Sequence, residues 1–167
     1  DPRGSYSKGV YNEELRALGP ILPGRQSPHP AGEALRRFWT TAVPALGRQP
    51  FFISDATRPV VAQAFESVVR RLATPVVACA IMNDHVHMVV LRRKRRIEYV
   101  VNQLKGAATR ALGLTQTPWT RGAWKVFLDD PEALRAAIEY VQANPPAAGL
   151  PAQHWDFVRP VTQADIV

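Results

Sequence analysis

Residues 75–91 constrain the fold of this chain more than any other segment. They contain two apolar runs separated by Asn83 and Asp84. A short link of this type between two apolar runs is typical of a tight β-hairpin, because these residue types tolerate positive φ. Side chains alternate across a strand, so His85 and His87 lie on the same face. The segment predicts an antiparallel hairpin that presents two imidazoles together.

The other apolar patterns predict helices and strands around this hairpin. In chain order, the expected elements are a strand at 36–43, a helix at 58–72, strands at 76–82 and 85–91, a helix at 97–112, a strand at 122–128 and a helix from 131 to about 144. The last helix should begin at a cap, Asp129 or Asp130, and end before Pro145. The order β-α-β-β-α-β-α predicts an α+β, ferredoxin-like sandwich with a four-stranded, mostly antiparallel sheet.

Composition restricts the class of protein. The 167 residues have a formal net charge of +7 and 46% hydrophobic residues, which predicts a basic globular domain with a real core. No stretch approaches 18 uncharged apolar residues and no secretory signal pattern is present, so we expect a cytoplasmic or nucleoid-associated protein. A single cysteine, Cys79, excludes an internal disulfide and a cysteine-based zinc cage.

Proline marks the edges of the domain. The 15 prolines cluster toward the two ends of the chain, where they favour irregular structure. We therefore predict an irregular N-terminal arm at residues 1–35, one compact domain at 36–160 and a C-terminal tail at 161–167.

The positive charge is concentrated in the middle of the chain. Seven basic side chains and one acidic side chain lie between residues 92 and 110; the basic ones are Arg92, Arg93, Lys94, Arg95, Arg96, Lys105 and Arg110. Such a cluster is typical either of a solvated loop or of a surface that binds phosphates. Trp39, Trp119 and Trp124 are candidates for base stacking, with core packing as the alternative.

Two residues of the last predicted helix are candidates for the same site as the histidines. Tyr140 and Asn144 are four residues apart and so lie one turn from each other on one helix face. If this helix covers the hairpin, the Asn144 carbonyl oxygen can join the two imidazoles around a metal ion. Nitrogen and amide oxygen without thiolate favour Mg²⁺ or Mn²⁺ over structural zinc. Alternatively, Tyr140 lies at the core edge and Asn144 only ends the helix.

Together these residues resemble the HUH endonucleases with one catalytic tyrosine, which belong to the IS200-like transposase superfamily. The likeness is greatest to the REP-associated tyrosine transposases. It is carried by the segments AIMNDHVHMVV, VNQLKGAATR, PWTRGAW and IEYVQANPPAAGL, and it extends over about residues 36–160. The chain departs from the family pattern at Asp84, where family members often continue from Asn directly into His, and the N-terminal arm has no counterpart.

The resemblance implies a metal-dependent transposase that cleaves single-stranded DNA near a hairpin. Tyr140 would be the nucleophile and would form a covalent 5′-phosphotyrosine, with His85, His87 and Asn144 as ligands of Mg²⁺ or Mn²⁺. Strand transfer, DNA recombination and transposition would follow from this intermediate. The basic residues would hold single-stranded or hairpin DNA, with no membrane partner, and the protein would act as a monomer or a homodimer.

Two other functions are compatible with the sequence. A host-adopted protein could retain the fold and bind hairpin DNA without cutting it. A zinc hydrolase could use His85, His87 and His154 as ligands and water as the nucleophile, and it would then be indifferent to loss of the Tyr140 hydroxyl.

Overall fold

A computed structural model of the chain describes residues 51–92, 95–128 and 130–165. The elements in these ranges are α1 (Arg58–Leu72), β1 (Val76–Ile81), β2 (Val86–Val90), α2 (Ile97–Ala111), α3 (Pro131–Ala147) and a 3₁₀ turn at Gln163–Asp165. The α+β class and the three helices and two hairpin strands predicted here are confirmed. The predicted arm at 1–35 and strand at 36–43 lie outside the described residues. No helix in the described ranges is long and apolar enough to cross a membrane.

The central hairpin forms as the sequence predicts. β1 and β2 pair antiparallel, with Ala80 opposite His87. The backbone N–H of Met82 donates to the His85 oxygen at 2.8 Å, which closes a link of two residues, Asn83 and Asp84. Neither adopts the positive φ that their types allow, since Ala73 is the only non-glycine residue of the described part with positive φ.

Helices cover both faces of β1, whose six residues are all buried. On one face, Leu134 and Val141 of α3 join a core cluster with Ala78 and Ala80, two small residues that permit close approach of the helix. α1 also contacts β1 and packs on α2, but its residues do not belong to that cluster. Because side chains alternate along β1, α1 therefore covers the opposite face, with α2 packed against α1.

The chain after α3 returns to the outer edge of β1. The side-chain amide of Gln153 accepts a hydrogen bond from Ile81 N–H at 2.8 Å and donates one to Ile81 oxygen at 2.9 Å. Further along this edge, Arg159 N–H donates to Val76 oxygen at 3.0 Å, next to an isolated bridge between Val76 and Val158. These contacts satisfy an edge that would otherwise expose unpaired backbone groups.

The predicted strand at 122–128 is wrong. These residues have no regular secondary structure, and all of them are exposed. Alternation of apolar residues produces a strand only where a neighbouring edge accepts it, and neither strand of the described sheet pairs with residues 122–128. In the described ranges the sheet has two strands, so the four-stranded sandwich stays a prediction.

The predicted end of the last helix is also wrong, because α3 continues through Pro145 and Pro146 to Ala147. Proline removes a backbone donor, but its φ is close to the helical value. Pro145 is fully buried, so its packing offsets the lost hydrogen bond. Beyond it, Ala148 N–H still donates to Asn144 oxygen at 3.1 Å. The predicted cap is confirmed, since Asp130 accepts from Ala133 N–H at 2.7 Å.

Replacing Gln153 with alanine should lower the free energy of unfolding by about 1–3 kcal/mol, because it leaves both backbone groups of buried Ile81 without a partner. Urea titration followed by circular dichroism measures the change. Gln142→Ala, at an exposed position of α3, is the control and should change stability by no more than about 0.5 kcal/mol. Equal effects of the two substitutions would contradict the proposed edge contact.

Candidate active site

The two histidines face each other at the turn end of the hairpin. Their rings are edge to face with centroids 4.6 Å apart, and their Nε2 atoms are 3.0 Å apart. His85 Nδ1 lies 2.6 Å from Asp84 Oδ1. A carboxylate at this position accepts the Nδ1 proton, which leaves the lone pair of His85 on Nε2. In the absence of an ion the two Nε2 atoms can share one proton, and that proton must leave the pair before both atoms bind a cation.

His87 is held in its neutral form. Burial, together with the neighbouring His85 ring, lowers the pKa of His87 to about 4, while the Asp84 carboxylate opposes this shift. At neutral pH the ring therefore carries no charge. A neutral imidazole is the form that binds a metal ion.

The geometry of the pair fits a divalent cation. Two nitrogens that each lie about 2.1 Å from one ion and at a right angle to each other are about 3.0 Å apart, the separation of the Nε2 atoms found here. Across the described ranges, no group of three His, Cys, Asp or Glu side chains is arranged to hold a metal. The pair therefore needs a donor of another type, and the zinc alternative with His154 gains no support.

Helix α3 brings Tyr140 to the histidines. The Tyr140 ring is edge to face with His87, with centroids 5.5 Å apart and an interplanar angle of 78°. Its side chain is nevertheless 60% exposed, so a substrate can reach the phenol. A Tyr140 that faced away from the histidines would favour a protein without catalytic activity, and this is not the arrangement observed.

Asn144 lies one turn after Tyr140, as the sequence predicts. Its Nδ2 atom donates to the backbone oxygen of Tyr140 at 2.6 Å, which holds the amide nitrogen against its own helix. This leaves the Oδ1 atom as the group with which Asn144 could bind a metal.

A buried arginine positions the turn that carries this site, and sequence reasoning missed it. Arg58 Nη2 donates to Asn83 Oδ1 at 2.9 Å and to Asp55 Oδ1 at 3.0 Å. Ile53 N–H also donates to the backbone oxygen of Asn83 at 2.7 Å. Hydrogen bonds to its side chain and its backbone thus fix Asn83, which precedes Asp84. An arginine at the start of a helix gave no signal of this contact.

The basic residues differ in their structural roles. Arg92, Arg95, Arg96 and Arg110 are exposed, and Arg93 and Lys94 lie outside the described residues. Lys105 is half-buried, and burial lowers its pKa. Its ammonium donates to the backbone oxygens of Thr120, at 2.9 Å, and Gly122. Lys105 therefore pins the segment that follows α2.

The tryptophans also differ. Trp119 is half-buried against Phe65 of α1, with ring centroids 6.4 Å apart, which is core packing. Trp124 is 70% exposed and stays a candidate for stacking. Trp39 lies outside the described residues.

We expect Arg58→Ala to lower the free energy of unfolding by about 2–3 kcal/mol, because the change removes a buried side chain and leaves the Asn83 amide oxygen without its donor. The control is Arg70→Ala on the same helix, which removes an exposed ion pair with Glu66 worth at most about 1 kcal/mol. Thermal and urea unfolding of both variants check this; a smaller effect at Arg58 than at Arg70 would disprove the role given to it.

Comparison with known proteins gives one match. The profile of the family described as "Transposase IS200 like" matches residues 43–128, slightly more than half of the chain. The match includes both histidines and residues 92–96, and it ends before α3 with Tyr140 and Asn144. Neither the curated proteins nor the solved structures gave a match. The chain belongs to the IS200-like transposases, a family of DNA-processing enzymes.

Proposed function

We propose that this protein cleaves and rejoins single-stranded DNA near a hairpin, with Tyr140 as the nucleophile. The observation that carries the proposal is the edge-to-face contact between Tyr140 and His87, whose Nε2 lies 3.0 Å from that of His85. Two separate elements thus bring an accessible phenol and a pair of imidazoles together. A tyrosine hydroxyl can form a covalent intermediate, and a cation held by the imidazoles could assist it.

The reaction exchanges one phosphodiester for another. The Tyr140 Oη atom attacks phosphorus and loses its proton, while the bond from phosphorus to the 3′ oxygen breaks and that oxygen gains a proton. The products are a 5′-phosphotyrosine and a free 3′-hydroxyl. Attack of a 3′-hydroxyl on the phosphotyrosine reverses the step, so strand transfer needs no nucleotide hydrolysis.

The residues that would hold the divalent cation, Mg²⁺ or Mn²⁺, are His85, His87 and Asn144. The cation would supply positive charge beside the phosphate that is attacked. Asp84 keeps the Nε2 lone pair of His85 available, and burial keeps His87 neutral. Both effects prepare the pair before an ion arrives.

The DNA would be held by the basic loop, residues 92–96, of which Arg92, Arg95 and Arg96 are described and exposed, and by the exposed Arg110 on α2. The basic loop follows β2 directly, whereas His87 lies near the turn at its other end. Arg92 comes five positions after His87, a distance of about 17 Å in extended chain. A DNA strand that contacts both His87 and the basic loop must therefore extend along about the length of β2.

Four further properties are expected from the resemblance to the family. They are the REP-associated subtype with its hairpin target, an association with the nucleoid, action as a monomer or a homodimer, and a ferredoxin-like sandwich. The contact between Tyr140 and His87 favours an active enzyme over the hairpin-binding protein that no longer cuts.

Tyr140→Phe should abolish the covalent adduct and leave DNA affinity within about 1 kcal/mol of the wild-type value, since a single neutral hydroxyl is lost. The assay uses hairpin DNA with 5′ and 3′ labels, Mn²⁺, a denaturing gel and mass mapping of the adduct. Tyr99→Phe is the matched control, because Tyr99 is a half-exposed tyrosine of α2, and it should cut normally. Cutting by Tyr140→Phe would disprove the assignment.

His87→Ala should reduce Mn²⁺ affinity by at least about tenfold, because one of two facing nitrogen donors is lost. Isothermal titration calorimetry with Mn²⁺ alone measures this without DNA. His154→Ala, at an exposed position, serves as the control and should leave the affinity unchanged. If His154→Ala weakens binding as much as His87→Ala does, the zinc hydrolase alternative gains the advantage.

A further inference from the structure

The segment between α2 and α3 exposes large apolar side chains. Residues 124–128, called here the aromatic segment, include Trp124 at 70% exposure and Phe127 at 77%, and Val126 and Leu128 are exposed as well. Large rings cost free energy when water surrounds them. A cluster of this kind on the surface usually marks a binding site.

The aromatic segment is anchored although it has no regular structure. Lys105 holds the preceding backbone at Thr120 and Gly122. Within the segment, Lys125 pairs with Glu98 of α2. Shortly after it, Asp130 caps α3. The two rings are thus presented from a backbone that is held before, within and after the segment.

Glu98 joins the aromatic segment to the basic loop. The Arg96 Nε atom lies 4.0 Å from one Glu98 oxygen, and the Lys125 ammonium bonds the other. These contacts hold the pKa of the Glu98 carboxyl below its usual value, so it stays ionised. Glu98 therefore brings Arg96 of the basic loop close to Lys125, which lies between the two rings in sequence, and these two positive charges exceed the charge of Glu98.

We propose that Trp124 and Phe127 stack on bases of single-stranded DNA whose phosphates are bound by the basic loop. Aromatic rings beside a basic track are the combination by which proteins hold single strands without reading their sequence. A duplex offers the phosphates but not free base faces, so the rings favour unpaired DNA. The excess positive charge argues against a second copy of this basic chain as the occupant, because like charges would be brought together.

This inference rests on the proposed function for its substrate, though not for the cleavage step. The test therefore measures binding in the Tyr140→Phe background of the full chain, where no adduct forms. The variant Trp124→Ala/Phe127→Ala is compared with Phe52→Ala, which removes a 58% exposed ring from outside the aromatic segment. All three substitutions are at exposed positions, and circular dichroism checks that the variants fold.

Fluorescence anisotropy with a labelled single strand and with the matching duplex should show a selective loss. We expect the double variant to lose about 5- to 100-fold in affinity for the single strand and much less for the duplex. The slope of log affinity against log salt should be unchanged, because the phosphate contacts remain. Phe52→Ala should bind both as the parent does. Glu98→Gln should raise the affinity for both and steepen the slope.

Three outcomes would overturn the inference while the parent still binds single strands. One is unchanged single-strand affinity in the double variant while the parent binds tightly, which leaves the proposed function intact. Another is an equal loss for single strand and duplex. The last is conversion of a dimeric parent into monomers, measured by light scattering, since the rings would then be an interface between two copies. Absence of single-strand binding by the parent would defeat the proposed function as well.

Discussion

The pairing register of the β1–β2 hairpin is the constraint on which the rest of the site depends. It places His87 opposite Ala80 and leaves only two residues for the turn. Because side chains alternate along a strand, a slip of one residue would move His87 to the opposite face of the sheet, away from α3. In the observed register it faces α3, where the small Ala78 and Ala80 let the helix approach and Tyr140 meets the ring.

Two polar side chains from other parts of the chain form hydrogen bonds with polar groups of the hairpin. Arg58 grips the Asn83 side chain at the turn, and Gln153 takes the place of a neighbouring strand at Ile81. Both contacts join positions distant in the sequence, 25 and 72 residues apart. They are buried or half-buried, so breaking either leaves polar groups without water or a partner. The histidines therefore lie on a strongly supported element.

The Tyr140 side chain, by contrast, is exposed. Tyr140 touches His87 by its ring, yet most of its surface is open. The described arginines of the basic loop and the aromatic segment are exposed too, and Glu98 links Arg96 to Lys125. Rigid support under the imidazoles and open access to the phenol, arginines and rings suit a site that must admit a long polyanion. The imidazoles are thus held in place before a substrate binds, whereas the phenol, the arginines and the rings are accessible to it.

The local periodicity of the sequence by itself determined the hairpin, the three helices and the placement of the histidines on one face, because alternation and helical spacing act over a few residues. It also put Tyr140 and Asn144 one turn apart. Residues 122–128 show the limit: their pattern is that of a strand, but no described sheet edge accepts them. Pro145 shows a second limit of prediction from local sequence. A proline predicts the end of a helix, but Pro145 is buried in the core and stays inside α3. Only the tertiary structure decided that Arg58 holds Asn83, that Gln153 covers the edge of β1 and that Tyr140 lies against His87, because these contacts join residues far apart in sequence.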